Sequence, residues 1–324
     1  MTWLITGGAG YIGGHVVRQL AEAGERVVVL DDLSSGSADR LPAGVPLVVG
    51  STLDRELLDA AVREHGVTGV LHVAAKKQVG ESVAEPLLYY RENVEGLRTV
   101  LEAAVAGGVR KVLFSSSAAV YGMPDTDLVT ESTPCEPINP YGETKLIGEW
   151  LLAAAAKAYG LSAVSLRYFN VAGAASPELA DDGVTNLVPM VFQRLTDGLP
   201  PLVFGDDYPT PDGTCIRDYI HVEDVAAAHL AAVRRLDAAG EPVSLTLNIG
   251  RGEGVSVRGM LDAIARITGL AVEPEVTPRR AGDPARVVAA ADLIHKELDW
   301  SARYGVDDMI ESAWAGWRAR HPGL

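Results

Sequence analysis

Short apolar runs alternate with longer amphipathic stretches over the first 115 residues. Runs rich in valine, leucine and isoleucine predict buried strands at Trp3–Thr6, Arg26–Leu30, Leu47–Val49, Val70–Val73 and Lys111–Phe114. The stretches between them predict helices, including Gly13–Ala23 and Asn93–Ala106. Strands that alternate with helices in this way are typical of a parallel sheet flanked by helices.

The alternation continues with a predicted helix at Tyr141–Tyr159, which Gly160 ends as a C-cap, and a strand at Ser162–Arg167. After Asn170, proline, glycine and aspartate become frequent, and irregular loops replace the alternation. A helix and a strand at Val222–Leu236 and Leu245–Ile249 are expected to return to the first sheet. We therefore predict a Rossmann-type, doubly wound α/β fold. Residues 1–170 form its first domain, joined by 222–250, and residues 171–324 mainly form a smaller C-terminal α/β substrate domain.

The charge and cysteine content narrow the possible partners and location. A formal charge of -15 argues against nucleic acid and anionic membranes, since both favour a basic protein face. Cys135 and Cys215 lie far apart, without CxxC spacing, so we expect neither a metal site nor a disulfide. No basic segment precedes the first apolar strand, and no apolar run is long enough to span a bilayer. We expect a cytoplasmic protein.

Three glycines lie between the first strand and its helix, in the segment Thr6–Gly13. Gly7, Gly10 and Gly13 permit a tight turn, approach of the backbone to a pyrophosphate, and close packing of helix on strand. Asp31 ends the second strand, where a carboxylate accepts hydrogen bonds from ribose hydroxyls and repels a 2′-phosphate. A glycine turn without a ligand is the alternative, but the order strand, glycines, helix favours NAD.

Tyr141 and Lys145 lie four residues apart and share one face of their predicted helix. A free tyrosine titrates near about 10, so it needs nearby positive charge to act as a base at neutral pH. Ser117 belongs to a serine-rich segment after the strand Lys111–Phe114, and open parallel sheets bind ligands at that end of a strand. Together these side chains indicate hydride chemistry on a carbinol, in which Ser117 holds the reacting hydroxyl.

With these residues assembled, the chain resembles the extended short-chain dehydrogenase/reductase family, and within it the enzymes that epimerise UDP-hexoses at C4. The segments that carry the resemblance are Thr6–Gly13, Val79–Val83, Ser115–Gly122, Arg167–Asn170, Arg217–Val222 and Pro278–Asp283. The resemblance implies an isomerase with NAD as cofactor and a UDP-sugar, UDP-galactose or UDP-glucose, as substrate. It also implies that the first domain binds NAD and the second mainly the UDP-sugar. A homodimer formed by the helices Asn93–Ala106 and Tyr141–Tyr159 is implied as well.

The resemblance also implies roles for individual residues. Tyr141 would be the base that removes the 4-hydroxyl proton, Ser117 its partner, and Lys145 the residue that holds the nicotinamide ribose and lowers the tyrosine pKa. The implied cofactor contacts are Gly7, Gly10, Tyr11, Ile12, Gly13, Asp31, Lys77, Asn93, Tyr141, Lys145 and Phe169. The implied substrate contacts are Ser117, Tyr141, Asn170, Asn186, Leu187, Phe204, Arg217, Arg280 and Asp283. The implied mechanism is that the hydride at C4 passes to NAD, the 4-keto sugar turns over in the site, and NADH returns the hydride to the opposite face of the sugar.

The chain departs from the family pattern at a few positions. Ser51 stands where the family usually has an aspartate that contacts adenine, and Ala119 replaces a threonine near the sugar. Val73-Ala-Ala75 replaces a more typical Phe-Ala-Gly along the cofactor. Val287 stands where side-chain bulk governs access of N-acetylated sugars, so we expect room for UDP-N-acetylglucosamine.

Other functions remain open at this stage. The substrate could be another nucleotide sugar, such as a UDP-N-acetylhexosamine, a UDP-pentose or a dTDP-hexose. A dehydrogenase that releases NADH would use the same serine, tyrosine and lysine, and only net NADH formation separates the two reactions. A 4,6-dehydratase usually needs an Asp-Glu pair where this chain has Ser117-Ala118, and a non-catalytic NAD-binding regulator has no use for these side chains.

Overall fold

A seven-stranded parallel sheet forms the centre of the protein in the computed structural model, which describes residues 1–280 and 282–322. In chain order, all strands of the described residues are β1 (Thr2–Thr6), β2 (Arg26–Asp31), β3 (Leu47–Val49), β4 (Gly69–His72), β5 (Lys111–Ser117), β6 (Ser162–Tyr168), β7 (Asn170–Ala172), β8 (Leu202–Phe204), β9 (Ile216–His221), β10 (Ser244–Ile249), β11 (Gly254–Ser256), β12 (Glu275–Thr277) and β13 (Arg286–Val287). The central sheet contains β1 to β6 and β10. The central order is β10-β6-β5-β4-β1-β2-β3. The predicted Rossmann-type fold class is confirmed.

Helices cover both faces of this sheet. Over the described residues, the α-helices of the whole chain are α1 (Tyr11–Glu22), α2 (Arg55–Glu64), α3 (Val79–Ala84), α4 (Pro86–Tyr89), α5 (Gly96–Ala106), α6 (Pro140–Tyr159), α7 (Leu187–Thr196), α8 (Val222–Asp237), α9 (Val257–Thr268), α10 (Asp292–Leu298) and α11 (Val306–Arg320). Successive strand residues alternate between the faces, so Trp3 and Ile5 pack towards α1 and α8 while Leu4 packs towards α2 and α5. Phe114 packs against α5 and α6. Burial on both faces explains why these strands read as continuous apolar runs.

A second apolar cluster lies outside the central sheet. β9 pairs with β7, β11 and β13, and β8 pairs with β12. Helices α7, α9 and α11 pack on these strands around Phe192, Met260 and Trp317. α8 packs on α1, and β10 pairs with β6, so the chain returns to the central sheet before it completes the second cluster. Within the described residues, no helix is both long enough and apolar enough to cross a membrane.

Two predicted elements differ from those observed by three residues at one end, whereas the boundaries of the others differ by at most two residues. The strand predicted to end at Phe114 continues through Ser117, because β6 continues to pair with it as far as Tyr168. The helix predicted to begin at Asn93 is preceded by a wide π-helical turn at Tyr90–Glu95, and α5 begins only at Gly96. Such turns often lie at functional sites. The spacing of apolar residues in the sequence did not predict this π-helical turn.

Helix α6, which carries Tyr141, begins and ends as its sequence predicts. The Asn139 side chain accepts a hydrogen bond from the Gly142 N–H at 2.9 Å, which caps the first turn. Pro140 occupies the first turn, where its missing N–H has no intrahelical partner to lose. Gly160 ends the helix at φ +65°, a left-handed conformation that favours glycine. These caps fix the start of α6 one residue before Tyr141.

Candidate functional site

The glycine turn after β1 places backbone, rather than side chains, at the start of α1. A Cβ added to Gly13 would collide with the Gly7 carbonyl oxygen, and one added to Gly7 would lie 2.5 Å from the Ala74 nitrogen. Gly10 precedes α1 and provides no side-chain cap for the first turn. The exposed N–H groups and the positive end of the helix therefore suit a pyrophosphate. This cradle, which Cβ atoms would fill, fits NAD.

Asp31 lies at the end of β2 and supports the same turn. One carboxylate oxygen accepts the Ala9 N–H at 2.9 Å, and the other accepts the Leu33 N–H at 2.9 Å. Each oxygen keeps a lone pair for a further donor. The hydroxyl of Ser51 accepts the Leu53 N–H at 3.1 Å, so this side chain closes its own turn and offers no carboxylate.

Ser117, Tyr141 and Lys145 come together where β5 meets the first turns of α6. The Ser117 hydroxyl and the Tyr141 phenol line the same cavity, and Ser117 lowers the pKa of Tyr141. The Lys145 ammonium lies 5.9 Å from the centre of the Tyr141 ring and donates to the Ser115 carbonyl at 2.8 Å. Lys145 is only 2% exposed and also lies 5.1 Å from the Phe114 ring centre. The ammonium is thus held beneath the phenol, away from solvent.

Burial governs the protonation of this group. It raises the pKa of Tyr141, and the Ser117 hydroxyl opposes the rise. It lowers the pKa of Lys145 to about 7, and the charge of Glu149 opposes the fall. Burial and then the Lys145 charge lower the pKa of His72, on the neighbouring strand, to about 3. In the protein alone Tyr141 is therefore protonated at neutral pH, and it needs more positive charge beside it to act as a base.

A cavity of about 730 Å³ opens beside Ser117 and Tyr141. All nine predicted substrate residues line it: Ser117, Tyr141, Asn170, Asn186, Leu187, Phe204, Arg217, Arg280 and Asp283. Several predicted cofactor residues also line it: Tyr11, Ile12, Lys77, Tyr141 and Phe169. The remaining predicted cofactor residues lie outside its lining: Gly7, Gly10, Gly13, Asp31, Asn93 and Lys145. The cavity therefore extends from the start of α1 to the second cluster.

The wall that the second cluster contributes carries three guanidinium groups, of Arg194 on α7, Arg217 and Arg280. Arg217 donates to the Asp283 carboxylate at 2.5 Å and to the Ile216 carbonyl at 2.9 Å. The Arg280 guanidinium carbon lies 3.6 Å from the centre of the Phe204 ring. Arginines can bind phosphate oxygens bidentately, so this wall suits a diphosphate attached to a planar base. Ala281, within the Pro278–Asp283 segment, lies outside the described residues.

Two predicted contact residues are already bound to protein groups. The Asn93 carboxamide accepts the Lys76 N–H at 2.8 Å and donates to the Lys76 carbonyl and to the Thr144 hydroxyl, both at 3.0 Å. It therefore fastens the segment after β4 to α6. The Asn186 amide donates to Asp181 at 2.8 Å, just before α7 begins. Asn186 lines the cavity, whereas Asn93 lies outside its lining and holds the segment that contains Lys76.

Sequence reasoning missed several residues at the site. Thr185, Val191 and Cys215 line the cavity but belong to no local motif that could have indicated them. The Tyr11 hydroxyl donates to the Gly173 carbonyl at 2.6 Å and so joins the glycine turn to the loop after β7. Tyr11 could be placed next to the cradle from its position in the glycine segment, but its partner 162 residues away could not.

Comparison with known proteins gives consistent matches over nearly the whole chain. The model of the NAD dependent epimerase/dehydratase family matches residues 3–250. A UDP-glucose 4-epimerase of Azospirillum brasilense is 46% identical over 96% of this chain and 90% of its own length. One from Halalkalibacterium halodurans is 43% identical over 99% and 97%. The crystal structure of a UDP-glucose-4-epimerase from Stenotrophomonas maltophila, with bound NAD and formylated UDP-arabinopyranose, is 41% identical, covers 100% of both chains and has a TM-score of 0.95.

Proposed function

The chain belongs to the NAD-dependent epimerase/dehydratase family, and we propose that it is an isomerase that interconverts UDP-galactose and UDP-glucose at C4 of the hexose. One observation carries this proposal. Ser117 and Tyr141, with Lys145 beneath the tyrosine ring, line a cavity that Arg217 and Arg280 also line. The serine, tyrosine and lysine suit proton transfer at a hydroxyl, and the arginines suit a nucleoside diphosphate.

NAD is the cofactor of this family, and the chain has residues that fit it. Gly7, Gly10 and Gly13 would hold the pyrophosphate against the start of α1, and Asp31 would accept hydrogen bonds from the adenosine ribose. Lys145 would contact the nicotinamide ribose. Bound NAD supplies a hydride acceptor at C4 of the sugar and, once reduced, a hydride donor.

The proton transfer falls to Tyr141. Ser117, which lines the cavity beside it, would hold the sugar O4 within reach of the phenol, and Tyr141 would take the O4 proton as C4 is oxidised. Burial raises the tyrosine pKa, so the Lys145 ammonium must stay charged beneath the ring to stabilise the phenolate. After the 4-keto sugar has turned, Tyr141 returns the proton to O4.

The sugar must turn over while its nucleotide stays bound. Arg217 and Arg280 would hold the diphosphate, and Phe204 offers its ring to uracil. Around the hexose, Ala118, Ala119 and Val287 present no hydroxyl or carboxylate that would fix one face of the ring. Binding strength would thus come from the nucleotide, which leaves the hexose free to present either face.

The test is to incubate the purified protein with UDP-galactose and to follow both UDP-glucose and NADH. We expect interconversion in both directions without net NADH. An accumulation of NADH in proportion to consumed substrate would instead identify a dehydrogenase. If UDP-sugars stay unchanged after NAD is added, dTDP-hexoses and UDP-pentoses are the next substrates to assay, and the UDP-hexose proposal fails.

We further propose that the enzyme accepts UDP-N-acetylglucosamine. Val287 lines the cavity and is 7% exposed, and its short side chain leaves space that a larger one would fill. The Val287→Tyr variant is expected to lose N-acetyl substrates while it keeps UDP-galactose turnover. Val287→Ile is the control, since it stays aliphatic and adds only one methylene. Wild-type enzyme that is active on UDP-galactose but inactive on both N-acetyl epimers would contradict this proposal.

A homodimer formed through α5 and α6 is also proposed. Trp150 on α6 is 63% exposed, an unusual exposure for a large apolar side chain on a helix of twenty residues. Leu151 beside it is half-buried, and Leu87 on α4 is exposed as well. Light scattering should give a dimer, and Trp150→Arg should give a monomer; a monomeric parent protein would contradict the interface.

Residues 1–170 and 222–250 are proposed as the NAD-binding domain, and residues 171–324 as mainly UDP-sugar-binding; residues 323 and 324 lie outside the described residues. The pairing of β10 with β6 and the contact of α8 with α1 support the return of the chain to the first unit. Because NAD and UDP-sugars are cytoplasmic metabolites, we propose the cytoplasm as the site of action.

A further inference from the structure

A line of buried polar side chains crosses three strands next to the catalytic group. Ser116, Arg167 and Asn248 are register partners on β5, β6 and β10, and all three are buried. The Arg167 guanidinium donates to the Tyr121 hydroxyl at 2.8 Å, and that hydroxyl donates to Asn248 at 2.7 Å. Polar side chains are rare in the interior of a parallel sheet, so this line calls for a partner that satisfies its charge.

That partner is Glu149 on α6. One carboxylate oxygen accepts from the Ser116 hydroxyl at 2.5 Å and from Arg167 Nε at 2.9 Å, and the other accepts from Arg167 Nη2 at 2.6 Å. Glu149 is 7% exposed. It follows Lys145 by four residues and Tyr141 by eight, so the three side chains share one face of the helix.

We propose that Glu149 is a positioning residue for the proposed epimerisation: through Ser116 and Arg167 it holds the helix that carries Tyr141 and Lys145 against the strand that carries Ser117. The inference rests on the proposed function for its catalytic meaning. Its geometry is independent of that function, since Ser116 directly precedes Ser117 on β5. A shift of α6 along the sheet would separate Tyr141 from Ser117 and would break the bidentate contact first.

Stability alone is a poor explanation for this ion pair. A buried carboxylate and guanidinium lose much of their mutual attraction to the cost of leaving water, and apolar residues often replace such pairs without loss of stability. Apolar packing already joins α6 to the sheet elsewhere, through Leu152, Ala155 and Ala156. The charged contact lies at the middle of the helix, about two turns after Tyr141, whereas these apolar contacts lie further towards its C-terminal end. This placement indicates that the ion pair orients the part of α6 that carries Tyr141 and Lys145 and sets the charge near Lys145.

Glu149 also sets the electrical surroundings of Lys145. The groups that face the Lys145 ammonium are Phe114 and the Ser115 carbonyl on β5, neutral His72 on β4, and Tyr141 and Glu149 on its own helix; Arg167 on β6 is paired with Glu149. Of these, Glu149 opposes the fall in the pKa of Lys145 that burial causes. Removing its charge would also leave the Arg167 charge unpaired nearby. Both changes lower the pKa of Lys145 further.

The direct test measures the protonation of Lys145 by NMR in protein labelled with ¹³C at the lysine ε-carbon. The chain has six lysines, and Lys145→Met identifies the signal of interest by its loss. In the unmodified protein Lys145 should titrate at about pH 7. In Glu149→Gln it should titrate about one pH unit lower. The matched control is Asp237→Asn, which breaks the Lys111–Asp237 pair at the far end of β5 and should leave Lys145 unchanged.

Activity gives the second readout. The fall in kcat on the alkaline side of the pH profile should move to lower pH in Glu149→Gln, while the KM for UDP-galactose stays within about 2-fold, because no substrate contact has changed.

If this variant does not fold, the double variant Glu149→Gln with Arg167→Gln removes both charges and keeps hydrogen-bonding amides. It should lower the pKa of Lys145 in the same direction but by less, because the unpaired Arg167 charge is also removed. Ser116→Ala removes only the contact to β5 and should lower kcat by about 5- to 10-fold without moving the pH profile.

An unchanged Lys145 titration in whichever glutamate variant folds would overturn the proposal, as would an equal kcat loss in Asp237→Asn. If neither glutamate variant folds, unchanged kcat in Ser116→Ala overturns it. The NMR titration does not depend on turnover. Failure of the unmodified protein to convert UDP-galactose would therefore refute the proposed function and leave the Lys145 result to judge the positioning claim separately.

Discussion

The two ends of the cavity are built from different materials. The proposed cofactor end is mainly backbone, namely a glycine turn and the uncapped start of α1, together with one short side chain, Asp31, whose carboxylate accepts two backbone N–H groups. The opposite wall is made of long charged side chains, in which Arg217 pairs with Asp283 and Arg280 lies on Phe204. The backbone cradle depends on packing that tolerates no added atom. Flexible side chains can instead re-pair when a ligand arrives.

This difference separates two demands on an epimerase. The cofactor must stay in one orientation through both hydride transfers, and a rigid backbone cradle provides that orientation. The hexose must present first one face and then the other to the cofactor. It can do so only if the site binds the substrate mainly through its nucleotide. We expect substitutions at the cradle to abolish cofactor binding and substitutions at the far wall to change KM.

The largest effect is expected for Gly13→Ala. Its new Cβ would collide with the Gly7 carbonyl oxygen, which cannot move without opening the glycine turn. We expect at least about a 100-fold loss of NAD affinity, measured by the NAD retained after purification and by titration. Gly14→Ala is the matched control on the same helix. Its Cβ would lie 3.3 Å from the flexible side chain of Arg40 and at an ordinary 3.8 Å from the Gly8 carbonyl oxygen, so NAD binding should survive.

An intermediate effect is expected for Arg280→Met. The substitution keeps a long side chain on Phe204 but removes the Arg280 guanidinium group from the wall. The KM for UDP-galactose should rise by about 10- to 100-fold, with bound NAD unchanged. The neighbouring Arg279→Met variant provides the comparison, because Arg279 pairs with exposed Asp207 and lies over Tyr208. Equal KM increases in both variants would mean that Arg280 has no special role.

The smallest effect is expected for Ser51→Asp, which tests whether a side chain can strengthen cofactor binding at the backbone end of the cavity. An aspartate can still accept the Leu53 N–H that the serine now accepts, so the turn before α2 should be kept. It would add the carboxylate that the family usually places near adenine. We expect NAD to dissociate about 2- to 5-fold more slowly. Faster dissociation would show that this carboxylate does not reach the cofactor.

The fold was largely predictable, because strands buried on both faces read as continuous apolar runs and glycines mark their turns. The errors arose where pairing partners decide a boundary: β5 runs on to Ser117 because β6 lies beside it, and the π-turn before α5 has no apolar signature of its own.

The site was predictable only as far as it lies in local motifs. Tyr141 and Lys145 could be paired from helix geometry, and the glycine turn from its spacing. The far wall came from resemblance alone, since β8, β9 and the segment before β13 meet only in the folded chain. The contact of Glu149 with Ser116 and Arg167 joins three elements across 51 residues, and no pattern in the sequence indicated it. The roles of individual site residues remain predictions.

The central claim is that Tyr141 moves the O4 proton of a UDP-hexose beside bound NAD. The most direct measurement compares the conversion of UDP-galactose to UDP-glucose by the purified protein and by Tyr141→Phe, which keeps the ring and removes only the hydroxyl. We predict that the variant retains NAD and loses at least about 100-fold in kcat. Tyr141→Phe that retains NAD and epimerises at the rate of the unmodified protein would contradict the account.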